Sequence, residues 1–170
     1  MVRTELRVIY GDTDQMGVVY YANYLRFMEA GRNEFIRAHG LRYRDFEERF
    51  GLRLPVAEAK VSYRMPARYD DVVAIETSLA ELKRASVRFE YRILRVVRAQ
   101  GQPEEAAPER AGGSGEREAR EASRVSPRSE EVLATGETVH ACVDLDGRVR
   151  RLPPELVALL SSGMPAVEGD

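Results

Sequence analysis

Asp12 and Asp14 stand one residue apart, and Gly17 follows them just before a run of helical periodicity that starts near Ala22. This spacing sets a carboxylate and a turn glycine immediately ahead of a helix N-terminus. A carboxylate can serve as base or nucleophile toward an activated carbonyl. The first turn of a helix presents unpaired N–H groups and partial positive charge, which suit an oxygen that becomes negative during a reaction. A base or nucleophile beside a ready-made oxyanion site suggests acyl transfer. Asp12, Asp14 and Gly17 also fit positions one, three and six of a calcium loop. Met16 and Asn23 then fall at positions five and twelve, where oxygen ligands and a bidentate Glu belong, so calcium is not expected. The plainer role for an aspartate here is to cap a turn or the helix, and that role is expected for Asp12.

The elements that must hold this segment follow from periodicity. Leu6, Val8 and Tyr10 alternate with Glu5, Arg7 and Ile9, a half-buried strand pattern. Tyr24, Phe27, Met28, Gly31, Phe35 and Ile36 keep helical spacing, and Gly40 is a natural stop after His39, so a helix is predicted over 22–39. Glu29 and Arg32, one turn apart, are expected to pair on its surface. His39 is expected to compensate the dipole at its end. A shorter helix is predicted over 43–50, ended by Gly51 and Pro55.

Three strand patterns come next. Ala57, Val61, Tyr63 and Met65 carry the first; Val73, Ile75, Thr77 and Leu79 the second; Val87, Phe89, Tyr91 and Ile93 the third and clearest. Short connections at Asp70-Asp71 and Lys83-Arg84 suit antiparallel neighbours. Pattern resumes over 132–145, where Val139, Ala141, Val143 and Leu145 share one face. His140 and Cys142 then fall on the other face, expected to meet solvent or another subunit. Pro153-Pro154 opens a short terminal helix. A strand, a long helix and four more strands make an α+β domain: one helix against a five-stranded, mostly antiparallel sheet.

Between strands, residues 101–129 are charged, small and nearly free of large apolar side chains. They cannot bury enough surface to offset the entropy of ordering, so a disordered insertion within a single domain spanning 1–170 is expected. A length of 170 residues and 44% hydrophobic content suit that one domain, and a net charge of −2 gives no reason to expect nucleic acid or an anionic membrane as partner. Cys142 is the single cysteine, no long apolar run suggests a membrane span, and the N-terminus lacks a signal-like segment. A cytoplasmic protein is expected. Two His and one Cys, widely separated, make no zinc set, and no metal site is expected.

Tyr10-Gly11-Asp12-Thr13-Asp14, Gly17-Val18-Val19-Tyr20, Asn23-Tyr24, and then Phe27, Glu29 and Arg32 form one ordered set. Tyr63, Pro66-Ala67-Arg68, Asp70-Asp71, Val143-Asp144 and Leu152-Pro153 continue it. On these residues the chain resembles the hotdog-fold acyl-CoA thioesterases of the 4-hydroxybenzoyl-CoA thioesterase type, especially the branch associated with the Tol-Pal system. The resemblance covers nearly the whole chain outside the polar insertion.

That resemblance implies a sheet wrapped around a long central helix, hydrolysis of an acyl-CoA thioester without metal or cofactor, and a homodimer or homotetramer. It maps the catalytic carboxylate onto Asp14 and the oxyanion donor onto the backbone N–H of Tyr21, and it assigns Gly17, Val18, Val19 and Tyr24 to the substrate site. Where the Tol-Pal branch commonly has His, this chain has Tyr21, which keeps the backbone donor and removes an imidazole. Coenzyme A carries phosphates that call for basic side chains, and Arg64, Arg68, Lys83 and Arg84 are candidates by their positions at strand ends and turns. Paired sheet edges would cover exposed strands in a dimer, with Ser62, Tyr63 and Arg64 then expected near the Asp14 of the second copy. Two rival functions keep the fold: a non-catalytic acyl-CoA or acyl-carrier-protein binding module, and an envelope-linked interaction protein.

Overall fold

The computed structural model describes residues 1–97 and 129–161. The expected disordered insertion at 101–129 lies outside the described residues, apart from Ser129, which opens a strand. The elements run β1 (Val2–Arg7), α1 (Asn23–Ala38), α2 (Tyr43–Phe50), β2 (Leu52–Arg53), β3 (Val56–Tyr63), β4 (Val72–Leu82), β5 (Ser86–Val97), β6 (Ser129–Ala141), β7 (Val143–Asp144) and α3 (Pro154–Ser161). Five strands form one sheet in the order β1-β4-β5-β6-β3, and each neighbouring pair is antiparallel. The two-residue strands β2 and β7 pair separately.

The helix α1 is amphipathic for the reason its spacing predicts: Tyr24, Phe27, Met28, Gly31, Phe35 and Ile36 are buried on one face. That face lies on Val73, Ile75, Thr77 and Leu79 of β4, and on Val87, Phe89, Tyr91 and Ile93 of β5, all buried. Burial of each large apolar side chain contributes about 1.5–3 kcal/mol. Two glycines allow close approaches that a side chain would block. A Cβ on Gly31 would lie 2.5 Å from Thr77 Oγ1 and 2.6 Å from Ile75 Cγ2. One on Gly136 would lie 2.6 Å from the Lys60 carbonyl and would also strike Met28. The opposite face of the sheet carries ion pairs, Arg3 on Glu130, Arg92 on Glu76 and Arg88 on Glu137, beside a small separate apolar cluster of Ala74, Leu94 and Val96. One apolar and one charged face is the ordinary division for an antiparallel sheet. No helix among the described residues is long and apolar enough to cross a membrane.

Three expectations are corrected. The first strand ends at Arg7, and Tyr10, exposed, sits in a short 3-10 turn instead of continuing it. The Ile9 N–H is taken by an Asp12 carboxylate oxygen at 3.1 Å, which ends the ladder there. His140 and Cys142 face the core, not solvent or a subunit: both are fully buried. Val87 of β5 pairs with His140 and Phe89 with Thr138, so these β6 side chains share the helix-facing side.

Arg32 does not pair with Glu29. It is buried and donates through Nη1 to His140 Nε2 at 3.2 Å. The Thr138 hydroxyl is 2.9 Å from that nitrogen and 2.8 Å from the Tyr91 hydroxyl, while His140 Nδ1–H donates to the Leu54 carbonyl at 3.0 Å. This network keeps a neutral imidazole in the core. Burial and then the Arg32 charge push the His140 pKa down to about 4. His39 stands at the end of α1, its ring nitrogen 2.7 Å from the Phe35 carbonyl and its ring stacked on Phe35.

Candidate active site

The loop between β1 and α1 is built on Asp12. Its carboxylate is buried, accepts from Ile9 N–H and ion-pairs with Arg26. Its carbonyl accepts from the Tyr20 N–H at 2.9 Å and from Asn23 Nδ2 at 2.9 Å. Asp12 is therefore structural, the capping role expected of it. The loop then doubles back: Asp14 N–H donates to the Val18 carbonyl and Gly17 N–H to the Asp14 carbonyl, each at 2.9 Å, and Thr13 bridges to Val19. Gly17 makes this turn at φ +71°, where a side chain would be strained.

Asp14 is half-buried, and its Oδ1 accepts the Met16 N–H at 2.8 Å. Its Oδ2 has no partner among the described residues. The turn thus holds the carboxylate by one oxygen and leaves the other open, a suitable arrangement for attack or proton removal.

The start of α1 lies a few residues on. No side chain caps it at Ala22. The Tyr20 carbonyl accepts from Asn23 N–H at 2.9 Å, and the Tyr21 carbonyl accepts from Tyr24 N–H at 3.4 Å. The N–H groups of Tyr21 and Ala22 make no hydrogen bond among the described residues. Two backbone donors at a helix N-terminus are left for an outside acceptor.

A second segment is stitched to this loop. The Val19 N–H donates to the Ala67 carbonyl at 2.8 Å, and the Ala67 N–H donates to the Tyr24 hydroxyl at 3.0 Å. Burial raises the Tyr24 pKa, so the phenol stays neutral. Arg95 clamps the same segment from below: it donates to the Pro66 carbonyl and pairs with Asp71 and Glu131. Tyr63, the last residue of β3, donates its hydroxyl to the Tyr21 carbonyl at 3.0 Å and sets its ring edge-on to Tyr24 at 5.2 Å.

Among the residues singled out by sequence, Asp14, Gly17, Val18, Val19, Tyr21 and Tyr24 come together in this one loop and helix start. Val19 and Tyr24 are buried, Val18 is half-buried, and Gly17 and Tyr21 are exposed. Arg64 and Arg68, both exposed, flank the segment held by Tyr24 and lie at the same end of the sheet. Lys83 and Arg84 do not join them. They form the turn between β4 and β5, at the far end of strands whose near end carries Asp71. Eleven residues of strand separate the two ends, about 36 Å at the usual rise. Tyr63 makes its hydrogen bond with Tyr21 of its own chain.

Sequence reasoning assigned no role to the hydroxyl of Tyr63 or to Arg95. Tyr63 ends an exposed strand, and nothing in its spacing marks a tertiary partner. Arg95 follows an irregularity between Ile93 and Leu94 in the pairing of β5 with β6, which a period-two pattern does not reveal. A polar hollow of about 350 Å³ on the ionic face of the sheet, lined by Lys60, Ser62, Glu76, Glu90, Arg92 and others, includes none of the loop residues.

Residues 8–160 match the family described as the thioesterase-like superfamily. The acyl-CoA thioesterase YbgC of Haemophilus influenzae is 38% identical over 90 residues, 53% of this chain and 66% of that protein. A Bacillus subtilis relative is matched over 65% of its length, so the chain spans just under two thirds of these curated relatives. A crystal structure of a hypothetical protein from Thermus thermophilus superposes with a TM-score of 0.71 at 32% identity, covering 95% of this chain and 98% of that one. The 4-hydroxybenzoyl CoA thioesterase from a Pseudomonas strain superposes with a TM-score of 0.70 at 21% identity, over 93% of this chain and 97% of the other, which shows the hotdog fold.

Proposed function

The chain belongs to the thioesterase-like superfamily, and from that membership we propose that it is an acyl-CoA thioesterase, converting a thioester and water to a carboxylic acid and free coenzyme A. The observation that carries this reading is the pairing of a half-free Asp14 carboxylate with two unpaired N–H groups at the start of α1. Asp14 Oδ2 either removes a proton from the attacking water or attacks the thioester carbon itself. In both routes the carbonyl oxygen becomes negative, the Tyr21 N–H donates to it, and the carbon–sulfur bond then breaks to release thiolate; in the second route water then hydrolyses the acyl anhydride left on Asp14, freeing the acid and restoring the carboxylate. A thioester is activated and thiolate leaves readily, so a weak carboxylate base suffices. Losing one such preorganised donor in other enzymes costs about 3–4 kcal/mol, which makes the helix start a substantial part of the catalysis.

No metal or cofactor has a step in this scheme. Arg64 and Arg68 share the Asp14 end of the sheet and are the bases proposed for the phosphates of a coenzyme A bound there. Lys83 and Arg84 serve that role only for a ligand reaching the opposite end. Along β3 six of the eight residues are exposed, and among the described residues the strand pairs with β6 on one side alone. An open edge of this length calls for a partner, and a homodimer through β3 supplies it.

The test is thiol release from a panel of short-chain, long-chain and aromatic acyl-CoAs. Native protein is expected to turn over at least one, and Asp14→Asn to lose about 100-fold or more in kcat, as removal of a general base does. Equal rates for the two proteins overturn the role of Asp14. Absence of turnover across the panel, with acyl-CoA still bound, overturns the enzyme in favour of a binding module.

A further inference from the structure

The orientation of a backbone N–H is set by whatever holds the carbonyl of the same peptide, because the group is planar and the two bonds point in opposite directions. The Tyr21 N–H shares its peptide with the Tyr20 carbonyl, and that carbonyl is held inside the helix by Asn23 N–H at 2.9 Å. The Ala22 N–H shares its peptide with the Tyr21 carbonyl. Within the helix this carbonyl has only a long contact, 3.4 Å from Tyr24 N. Its shorter partner comes from outside: the Tyr63 hydroxyl at 3.0 Å.

From this we infer that Tyr63 is a positioning residue, which pins the peptide between Tyr21 and Ala22 so that the Ala22 N–H stands beside the Tyr21 N–H as a second oxyanion donor. The inference rests on the thioesterase reading and deepens it. Tyr63 is well placed for the task. Its ring is braced edge-on against Tyr24, whose own hydroxyl is tied to Ala67, so the phenol is fixed from two sides. Burial raises its pKa, and it stays protonated and able to donate. Being the last residue of β3, it ties the helix start to the sheet edge. The Ala22 N–H is free to be used because it has no hydrogen-bond partner among the described residues.

Two substitutions separate positioning from support. Tyr63→Phe keeps the ring and removes the hydroxyl. Ala22→Pro removes the N–H at a residue whose φ of −69° already matches proline. Each is measured for kcat and KM on the best acyl-CoA of the panel, alone and together. Tyr63→Phe is expected to lower kcat by about 10- to 100-fold with KM within about twofold, as an interaction made only in the transition state does. In the Ala22→Pro background the same change is expected to have little further effect, since both act through one donor.

An unchanged kcat in Tyr63→Phe overturns the inference and leaves the thioesterase reading standing. Factors that multiply in the double variant also overturn it, because Tyr63 then acts elsewhere. A raised KM with unchanged kcat does the same, showing plain substrate binding. If the native protein hydrolyses no acyl-CoA, the thioesterase reading falls and takes this inference with it.

Discussion

Arg26, on the first turn of α1, ion-pairs with the buried carboxylate of Asp12, two residues before the half-free carboxylate of Asp14. The two aspartates look alike in sequence and differ in what their oxygens touch. One is consumed by structure; the other is open.

Their substitutions should therefore differ in their effect on stability. Asp12→Ala leaves the Ile9 N–H and Arg26 without an acceptor, and is expected to lower stability by about 1–3 kcal/mol. Asp14→Asn keeps an oxygen for Met16 N–H and breaks no other contact, so it should stay within about 0.5 kcal/mol of the native protein. Urea unfolding midpoints of the two variants check this directly, and a more stable Asp12→Ala than Asp14→Asn would contradict it.

Gly31 sets a contest between two effects. Alanine is the better helix former by about 1 kcal/mol. Against that, its Cβ would meet Thr77 and Ile75 at 2.5–2.6 Å in a packed core, where overpacking costs about 1–3 kcal/mol. Packing is expected to win, so Gly31→Ala should lower the thermal midpoint in calorimetry. A raised midpoint would show that helix and sheet have room to separate.

His140 makes stability depend on pH in a definite direction. In the unfolded chain its pKa is near 6.5, and in the fold it is pushed down to about 4 by burial and by Arg32. Between those values the unfolded chain binds the extra proton, so stability is complete above about pH 6.5 and falls as pH drops toward 4. The loss reaches about 3 kcal/mol at 1.36 kcal/mol per unit. Carboxylates titrate in the same range, so the measurement is the difference in unfolding free energy between the native protein and His140→Gln across pH 4–7. A difference that does not vary with pH would remove His140 from the acid response.

Much of the frame was legible in the residues. The helices α1 and α2 lie within a residue of their expected bounds, because one buried stripe and the glycines at 40 and 51 mark where they run and stop. The alternation in β5 gave its buried face directly. Other features depended on partners far away in the chain. Which side of β6 faces the core follows from its pairing with Val87 and Phe89, and His140 is tolerated there because Leu54, Thr138 and Arg32 satisfy it. The early end of β1 depends on a side-chain oxygen replacing a strand neighbour. At the site, the loop residues are contiguous and so could be found together. Tyr63 meets Tyr21 across 42 residues, and no local spacing announces it.

The close seat of Gly31 on Thr77 and Ile75 makes α1 a lever arm with its pivot in the core. Eight residues separate that pivot from the first residue of the helix, about 12 Å at the helical rise. A tilt of about 5° at the pivot would sweep the tip by roughly 1 Å, a displacement that in enzyme sites can cost on the order of 100-fold in rate. The aim of the Tyr21 and Ala22 N–H groups is thus set in part by a glycine that never meets the substrate.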